Sequence, residues 1–177
     1  MQLSDLIKIY PNVASPDWCA EVVELSTAHQ FDHYKTDGYE FYQLSASQTP
    51  SFKPYASQFL DAFCDIAEEY FTELDLLPMI NHTGFNLTED VRVKKYKANS
   101  DMGFKEHVDV VDMDSASRYL TGILYLNDND GDTVFRDLSV RPTVGTMVIF
   151  PPMWMFPHIA KTPTNANKYI MMSSLRY

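Results

Sequence analysis

His107 and Asp109 are separated only by Val108, and His158 follows 49 residues after Asp109. On a β-strand, residues two apart point to the same face, which would set an imidazole beside a carboxylate. A second imidazole from a distant strand would complete a three-point face. Two histidines and one carboxylate leave coordination positions open, a ligand set that suits Fe(II) in oxygen chemistry. The same donors tolerate Zn(II), so ligand type alone does not choose the metal. Lys168, ten residues beyond His158, supplies a cation suited to the far carboxylate of a dicarboxylic cosubstrate.

Such residues need strands to carry them. From about residue 91 the chain reads as short strands between turn signals, at Val91–Tyr96, Phe104–Asp109, Leu120–Leu126, Thr133–Phe135, Thr146–Phe150, Trp154–His158 and Tyr169–Leu175. The turns are Asn127-Asp128-Asn129-Asp130-Gly131-Asp132 and Arg141-Pro142-Thr143-Val144-Gly145. This spacing predicts a sandwich or barrel rather than a parallel α/β sheet. Alternation puts Ile170, Met172 and Ser174 on the face of Lys168, and gathers Thr121, Ile123 and Tyr125 on one face of another strand.

Residues 1–80 read differently. Ser15-Pro16-Asp17-Trp18 gives a cap, a proline in the first turn and an acidic start for a helix running to about His29. Pro54 opens a second helix, in which Phe59, Leu60, Phe63, Ile66, Ala67, Tyr70 and Phe71 recur on one face, with Pro78 beyond its end. Asp37-Gly38 marks a turn between Phe31–Tyr34 and Tyr39–Leu44, a hairpin whose aromatic residues suit either a core or a lid. No repeat or linker interrupts the chain. One domain over 1–177 is expected, with helical and hairpin support over 1–80 and a β-roll over 91–177 carrying the site.

The formal charge of −10 argues against a surface that grips phosphate backbones, so no nucleic-acid partner is expected. No apolar run reaches the roughly 18 residues of a membrane span. The start, Met-Gln-Leu-Ser-Asp-Leu-Ile-Lys, lacks the regions of a signal peptide. Cys19 and Cys64 read as free thiols rather than a disulfide, and a cytoplasmic location is expected.

The ordered residues of 91–177 resemble the prolyl 4-hydroxylase branch of the 2-oxoglutarate and Fe(II)-dependent dioxygenases. The parts are Tyr96, Phe104-Lys105-Glu106-His107-Val108-Asp109, Arg118-Tyr119-Leu120-Thr121-Gly122-Ile123-Leu124-Tyr125-Leu126-Asn127, Gly131-Asp132-Thr133-Val134-Phe135, Pro142, Gly145, Phe150, His158, Pro163 and Lys168-Tyr169. A lone His-x-Asp is weak; the ordered set with a basic residue ten positions after the distal histidine is specific. The resemblance implies a mainly β protein with flanking N-terminal helices, folded as a double-stranded β-helix, or jelly roll. It implies Fe(II) held by His107, Asp109 and His158, with 2-oxoglutarate and O2 as cosubstrates and ascorbate as an accompanying reductant. A C–H bond is hydroxylated as succinate and CO2 are released, with proline in a peptide or protein as the substrate that follows.

Within that pattern Lys168 pairs with the distal carboxylate of 2-oxoglutarate, helped by the Tyr125 hydroxyl, and Tyr96 and Thr121 fall on the cosubstrate side. Arg118 falls at the mouth of the site, where it equally suits an exposed cation offsetting Asp112 and Asp114. Trp154, in the cluster Met153–Phe156, suits a wall beside the iron that touches substrate, or plain core packing. Two departures stand out: Phe104 replaces a frequent tyrosine three residues before the first metal histidine, and Asp130-Gly131-Asp132-Thr133 replaces a Gly-Gly-Glu-Thr turn.

Two other classes use the same residues. A nucleic-acid dealkylase shares the iron chemistry, but its usual pair of C-terminal arginines is not matched by Lys168 and Arg176. A non-catalytic jelly-roll module, or a zinc hydrolase, could use the three ligands yet leaves Lys168 inside the roll without a purpose. His29 and His33 find no third ligand at a useful spacing, and His82 reads as an exposed loop residue.

Overall fold

The computed structural model describes residues 2–77 and 87–177; Pro78 and His82 lie outside the described residues. Strand β1 is Lys8–Tyr10, helix α1 is Pro16–Thr27, strands β2 and β3 are Asp32–Lys35 and Tyr39–Ser45, and helix α2 is Lys53–Glu73. Then come β4 (Leu87–Thr88), β5 (Arg92–Tyr96), β6 (Gly103–His107), β7 (Arg118–Tyr125), β8 (Thr133–Phe135), β9 (Ser139–Val140), β10 (Met147–Phe150), β11 (His158–Ala160) and β12 (Lys168–Arg176). The sheet runs in the order β1-β10-β7-β12-β5-β3-β6-β11-β8-β9, with β2 on β3 and β4 on β12. Its pairings are antiparallel, and it curls so that β5, β6, β7, β8, β11 and β12 all line one inner cavity. The protein is a mainly β jelly roll with two supporting helices.

The helices form for the reasons legible in the chain. The Ser15 hydroxyl accepts from Trp18 N–H at 3.2 Å and caps α1, with Pro16 in its first turn. Helix α2 buries Ala56, Phe59, Phe63, Ala67, Tyr70 and Phe71 along one stripe. That stripe covers the outer face of the sheet.

Two apolar clusters result. The helix-side cluster takes Leu120, Leu124, Met147, Ile149, Tyr169 and Met171. The cluster inside the roll takes the alternate positions, Ile123, Tyr125, Val148, Phe150, Ile170 and Met172. Strands β7, β10 and β12 are therefore apolar on both faces. Lys168 shares the inner face of β12, where a cation is otherwise out of place.

Three strands that the sequence reading does not name, β1, β4 and β9, are two or three residues long. They are too short to show a period, and tertiary pairing alone makes them strands. Two boundaries differ from the sequence-based expectation. Strand β6 stops at His107, because Asp109 N–H and Val110 N–H both donate to the Pro152 carbonyl instead of a ladder partner. Strand β11 begins at His158 and not Trp154, since residues 153–156 turn back through a Phe156 N–H to Met153 carbonyl bond of 2.9 Å. Cys19 and Cys64 are free thiols. Among the described residues, no helix is long and apolar enough to cross a membrane.

The Arg141–Gly145 turn is a stability test of this architecture. Gly145 has φ +74, and a Cβ there would lie 2.1 Å from the Ala14 carbonyl oxygen. That close approach exists because Gly145 carbonyl accepts from Val13 N–H at 2.8 Å and ties the N-terminal segment to the sheet. Gly145→Ala is expected to destabilise the fold by about 1–3 kcal/mol, read from chemical denaturation, with an unchanged midpoint counting against this account.

Candidate active site

Strands β6 and β11 pair antiparallel, and their register sets His107 directly opposite His158. Cross-strand neighbours in a sheet bring their side chains together on one face, and the two imidazole centroids are 4.3 Å apart. Asp109 arrives by another route. Its N–H is held by the Pro152 carbonyl at 3.1 Å, and its carbonyl accepts from Arg118 Nη1 at 2.7 Å. So placed, its Oδ1 lies 3.6 Å from His107 Nε2 and 3.9 Å from His158 Nε2.

With a neutral His107 ring the first of these contacts is not an ion pair. His107 Nδ1 lies 2.9 Å from the Lys105 carbonyl, and His158 Nδ1 lies 3.2 Å from the Phe156 carbonyl. A carbonyl can only accept, so each Nδ1 carries a hydrogen, the tautomer that leaves Nε2 of a neutral ring free to bind a metal. Burial, then the neighbouring His158, push the His107 imidazole down to about 4, so it is neutral near pH 7. Asp109 Oδ2 is buried with no hydrogen-bond partner among the described residues. A buried carboxylate beside two imidazoles calls for a cation. The three donor atoms lie within 4.8 Å of one another, the spread expected of atoms that bind one ion at about 2 Å. They are the one such cluster among the described residues, and they fit Fe(II).

The other end of the inner cavity holds a buried cation. Lys168 is 1% exposed, and its Nζ donates to the Gly131 carbonyl at 2.5 Å. That bond satisfies one of three ammonium hydrogens. The 127–132 turn is fixed for it: Asp130 accepts from Thr164 and Asn165, and Asn129 Oδ1 accepts from Gly131 N–H at 2.9 Å. Burial pushes the Lys168 ammonium down to about 7, with Asp132 opposing. Thr133 lines the same cavity and is paired with Ala160, two residues along β11 from His158. Two strand residues span about 7 Å, which sets the spacing of Thr133 from His158 along the cavity.

Residues 91–175 match the family model of the 2OG-Fe(II) oxygenase superfamily. This stretch, the β-roll that carries the triad, is a 2OG-Fe(II) oxygenase domain. The oxygenase thus uses Fe(II) and 2-oxoglutarate, with O2 as its second cosubstrate. No curated protein matches it. Among solved structures it resembles a viral collagen prolyl hydroxylase from Paramecium Bursaria Chlorella virus-1 in its 2OG complex, at 17% identity and a TM-score of 0.72, covering 97% of this chain and 96% of that one. It also resembles a Pseudomonas putida prolyl-4-hydroxylase, at 16% identity and TM-score 0.64, with 97% and 92% covered. A Trichoplax adhaerens prolyl hydroxylase, solved with a hypoxia inducible factor peptide fragment, aligns at 16% identity and TM-score 0.65, with 98% and 84% covered. These likenesses establish the fold.

The oxygenase does not bring every expected residue to the cavity. Tyr96 lines it, with Lys168 Nζ 5.4 Å from its ring centroid. Tyr125 reaches it indirectly: its hydroxyl donates to Thr133 Oγ1 at 2.8 Å, and Thr133 is the residue that faces the cavity. Thr121 is fully buried with its hydroxyl 2.9 Å from Ser174 Oγ, and it lines neither cavity at the triad. Arg118 borders the outer cavity but is committed to Glu89 at 2.8 Å and to the Asp109 carbonyl, which makes it a brace for the aspartate. Its supposed partner Asp112 is bonded to Ser115 instead. Trp154 is 76% exposed and borders neither cavity, because the 153–156 turn points it to solvent while Phe156 packs inward.

An outer cavity of about 510 Å³ opens onto His107 and Asp109 of the triad. Tyr34, Tyr39 and Phe41 of the hairpin form one wall. Strand β3 is built into the sheet between β5 and β6, so the hairpin is a wall on a core strand. Phe104 stacks on His107 with centroids 3.8 Å apart, so the departure from tyrosine puts an apolar face against the first metal histidine. Lys94 borders both cavities, and sequence reasoning missed it. The signal was available: alternation on β5 puts Lys94 and Arg92 on the face of Tyr96.

Proposed function

We propose that this oxygenase hydroxylates proline in a peptide or flexible protein segment. The observation that carries the proposal is the aromatic wall of the outer cavity, Tyr34, Tyr39, Phe41 and Phe104, leading to the face of the triad. Proline rings pack well on aromatic faces, and the shared fold with prolyl hydroxylases, one of them solved with a peptide, supports the direction. The charge of −10 weighs against nucleic acid. We also take the chain as one catalytic domain, and place it in the cytoplasm on the strength of its two free thiols.

His107, Asp109 and His158 hold the iron in this scheme, and Lys168 holds the distal carboxylate of 2-oxoglutarate beside Thr133 and Tyr96. Bound iron with 2-oxoglutarate and O2 supplies the oxidising power that hydroxylates a C–H bond as succinate and CO2 leave. The chain's residues do the positioning. Arg118 and the Pro152 carbonyl fix Asp109, the Lys105 and Phe156 carbonyls fix the tautomers, and Tyr125 orients the Thr133 hydroxyl. Phe104, Phe150 and Phe135 pack around the imidazoles and keep water from them.

The test incubates iron-loaded enzyme and 2-oxoglutarate with proline-rich peptides, free proline and methylated single-stranded DNA. A gain of 16 mass units (one oxygen atom) on a prolyl substrate, with matching succinate, is the expected result. Demethylation of DNA without oxidation of a prolyl substrate would replace this activity by a dealkylase.

A further inference from the structure

Lys94 lies where the two cavities meet, bordered by Phe104, His107, Asp109 and Met172, which line both. It is 8% exposed, and its Nζ sits 4.3 Å from the Phe41 ring centroid and 5.5 Å from that of Phe104. Among the described residues its Nζ makes no hydrogen bond and no ion pair, and the carboxylate that acts on it at longer range, Asp109, belongs to the triad. Of the other cations on the two cavities, Arg92 is held by Glu89 at 3.2 Å, Arg118 by Glu89 and the Asp109 carbonyl, and Lys168 by the Gly131 carbonyl, while Lys105 lies exposed on the outer wall. Two aromatic faces offset part of the cost of a buried ammonium. They leave its three N–H donors without an acceptor, and buried charge without a hydrogen-bonded partner is unfavourable.

Glu106 is the remaining acidic residue on the outer cavity wall, and it carries no bond to Lys94. The cosubstrate's distal carboxylate is taken by Lys168 and its other end faces the metal triad. What remains to pair with Lys94 comes from the outer cavity, where the substrate enters. We propose that the substrate carries a carboxylate that Lys94 binds, so that the oxidised carbon lies within a few bonds of that carboxylate. The proposal deepens the substrate assignment above and rests on it. Two sources supply this chemistry: an Asp or Glu side chain beside the proline in a peptide, or the α-carboxylate of free proline. An acidic chain with one unpaired buried cation at its reaction centre thus selects an anion by placement rather than by overall field.

Three substrates separate these sources: a proline peptide with both ends blocked and no acidic residue, the same peptide with aspartate next to proline, and free proline. Each is titrated calorimetrically against the Fe(II)- and 2-oxoglutarate-loaded enzyme without oxygen, then assayed for oxidation with oxygen. A carboxylate-bearing substrate is expected to bind at least about tenfold more tightly than the blocked neutral peptide, as a charge-assisted hydrogen bond allows. Whichever of the two shows the preference identifies the source. In Lys94→Met the preference falls to near one, and in Lys94→Arg it is retained; thermal melts of both confirm folding. Equal binding of all three by the wild type, or an undiminished preference in Lys94→Met, overturns the proposal. So does a weakened hold on 2-oxoglutarate in Lys94→Met with the preference intact, which would assign the lysine to the cosubstrate. Acid-selective binding lost in Lys94→Met, with no oxidation of any prolyl substrate, would keep the carboxylate site and discard proline as the target.

Discussion

Asp109→Ala is expected to abolish succinate formation while the protein stays folded. Asp109 is the single anionic ligand of the triad, and its Oδ2 is buried without a protein partner. Losing an outer hydrogen-bond partner of a metal ligand costs about 10–100-fold; losing the charged ligand itself should exceed that and leave turnover at background. Stability should respond in the opposite sense. Without metal, Asp109 keeps a buried Oδ2 with no hydrogen-bond partner, so its removal leaves the metal-free fold as stable as the wild type or more so. Added Fe(II) or Mn(II) should raise the melting temperature of the wild type by mass action and not that of the variant. Retained turnover in Asp109→Ala, or an equal metal-induced shift in both proteins, would rule out Asp109 as a ligand.

Lys168→Ala is expected to raise the 2-oxoglutarate KM at least roughly tenfold, since a charge-assisted bond contributes about 1.5–3 kcal/mol. Tyr125→Phe should raise it less, because that hydroxyl acts through Thr133. The lysine also gives binding a pH signature. Burial lowers its ammonium to about 7 in the free enzyme, and a carboxylate partner must raise it again. Below about pH 7 the cation is already present and affinity is flat. Above that, the free enzyme's lysine is neutral, so binding takes up a proton and affinity falls by up to about tenfold per pH unit. Calorimetry at pH 6 and pH 8.5, in two buffers of different ionisation heat, should show no uptake at the lower pH and nearly one proton at the higher. Buffer-independent heats at pH 8.5, or an unchanged KM in Lys168→Ala, would remove Lys168 from this role.

The chemistry was legible in the chain because it depends on residue type and order. His107, Asp109, His158 and Lys168 declared themselves by spacing, and the helix stripes and the alternation on β7 and β12 declared which faces are buried. What the chain could not show is what depends on pairing between distant segments. The meeting of His107 with His158 is a register between β6 and β11, and no local period encodes a register. Asp109 reaches the same point through the Pro152 carbonyl and Arg118, beyond the end of its strand, where alternation no longer governs direction. Trp154 turned outward for the related reason that prolines at 151, 152 and 157 cannot donate to a ladder, so a turn replaced the expected strand. Thr121 shares its face with Tyr125, but a hydroxyl partner on the adjacent strand engages it. Sequence alone named the groups suited to the chemistry. Only the tertiary structure decided which groups face them, Lys94 above all, because a side chain's neighbours are set by strands that meet across the roll.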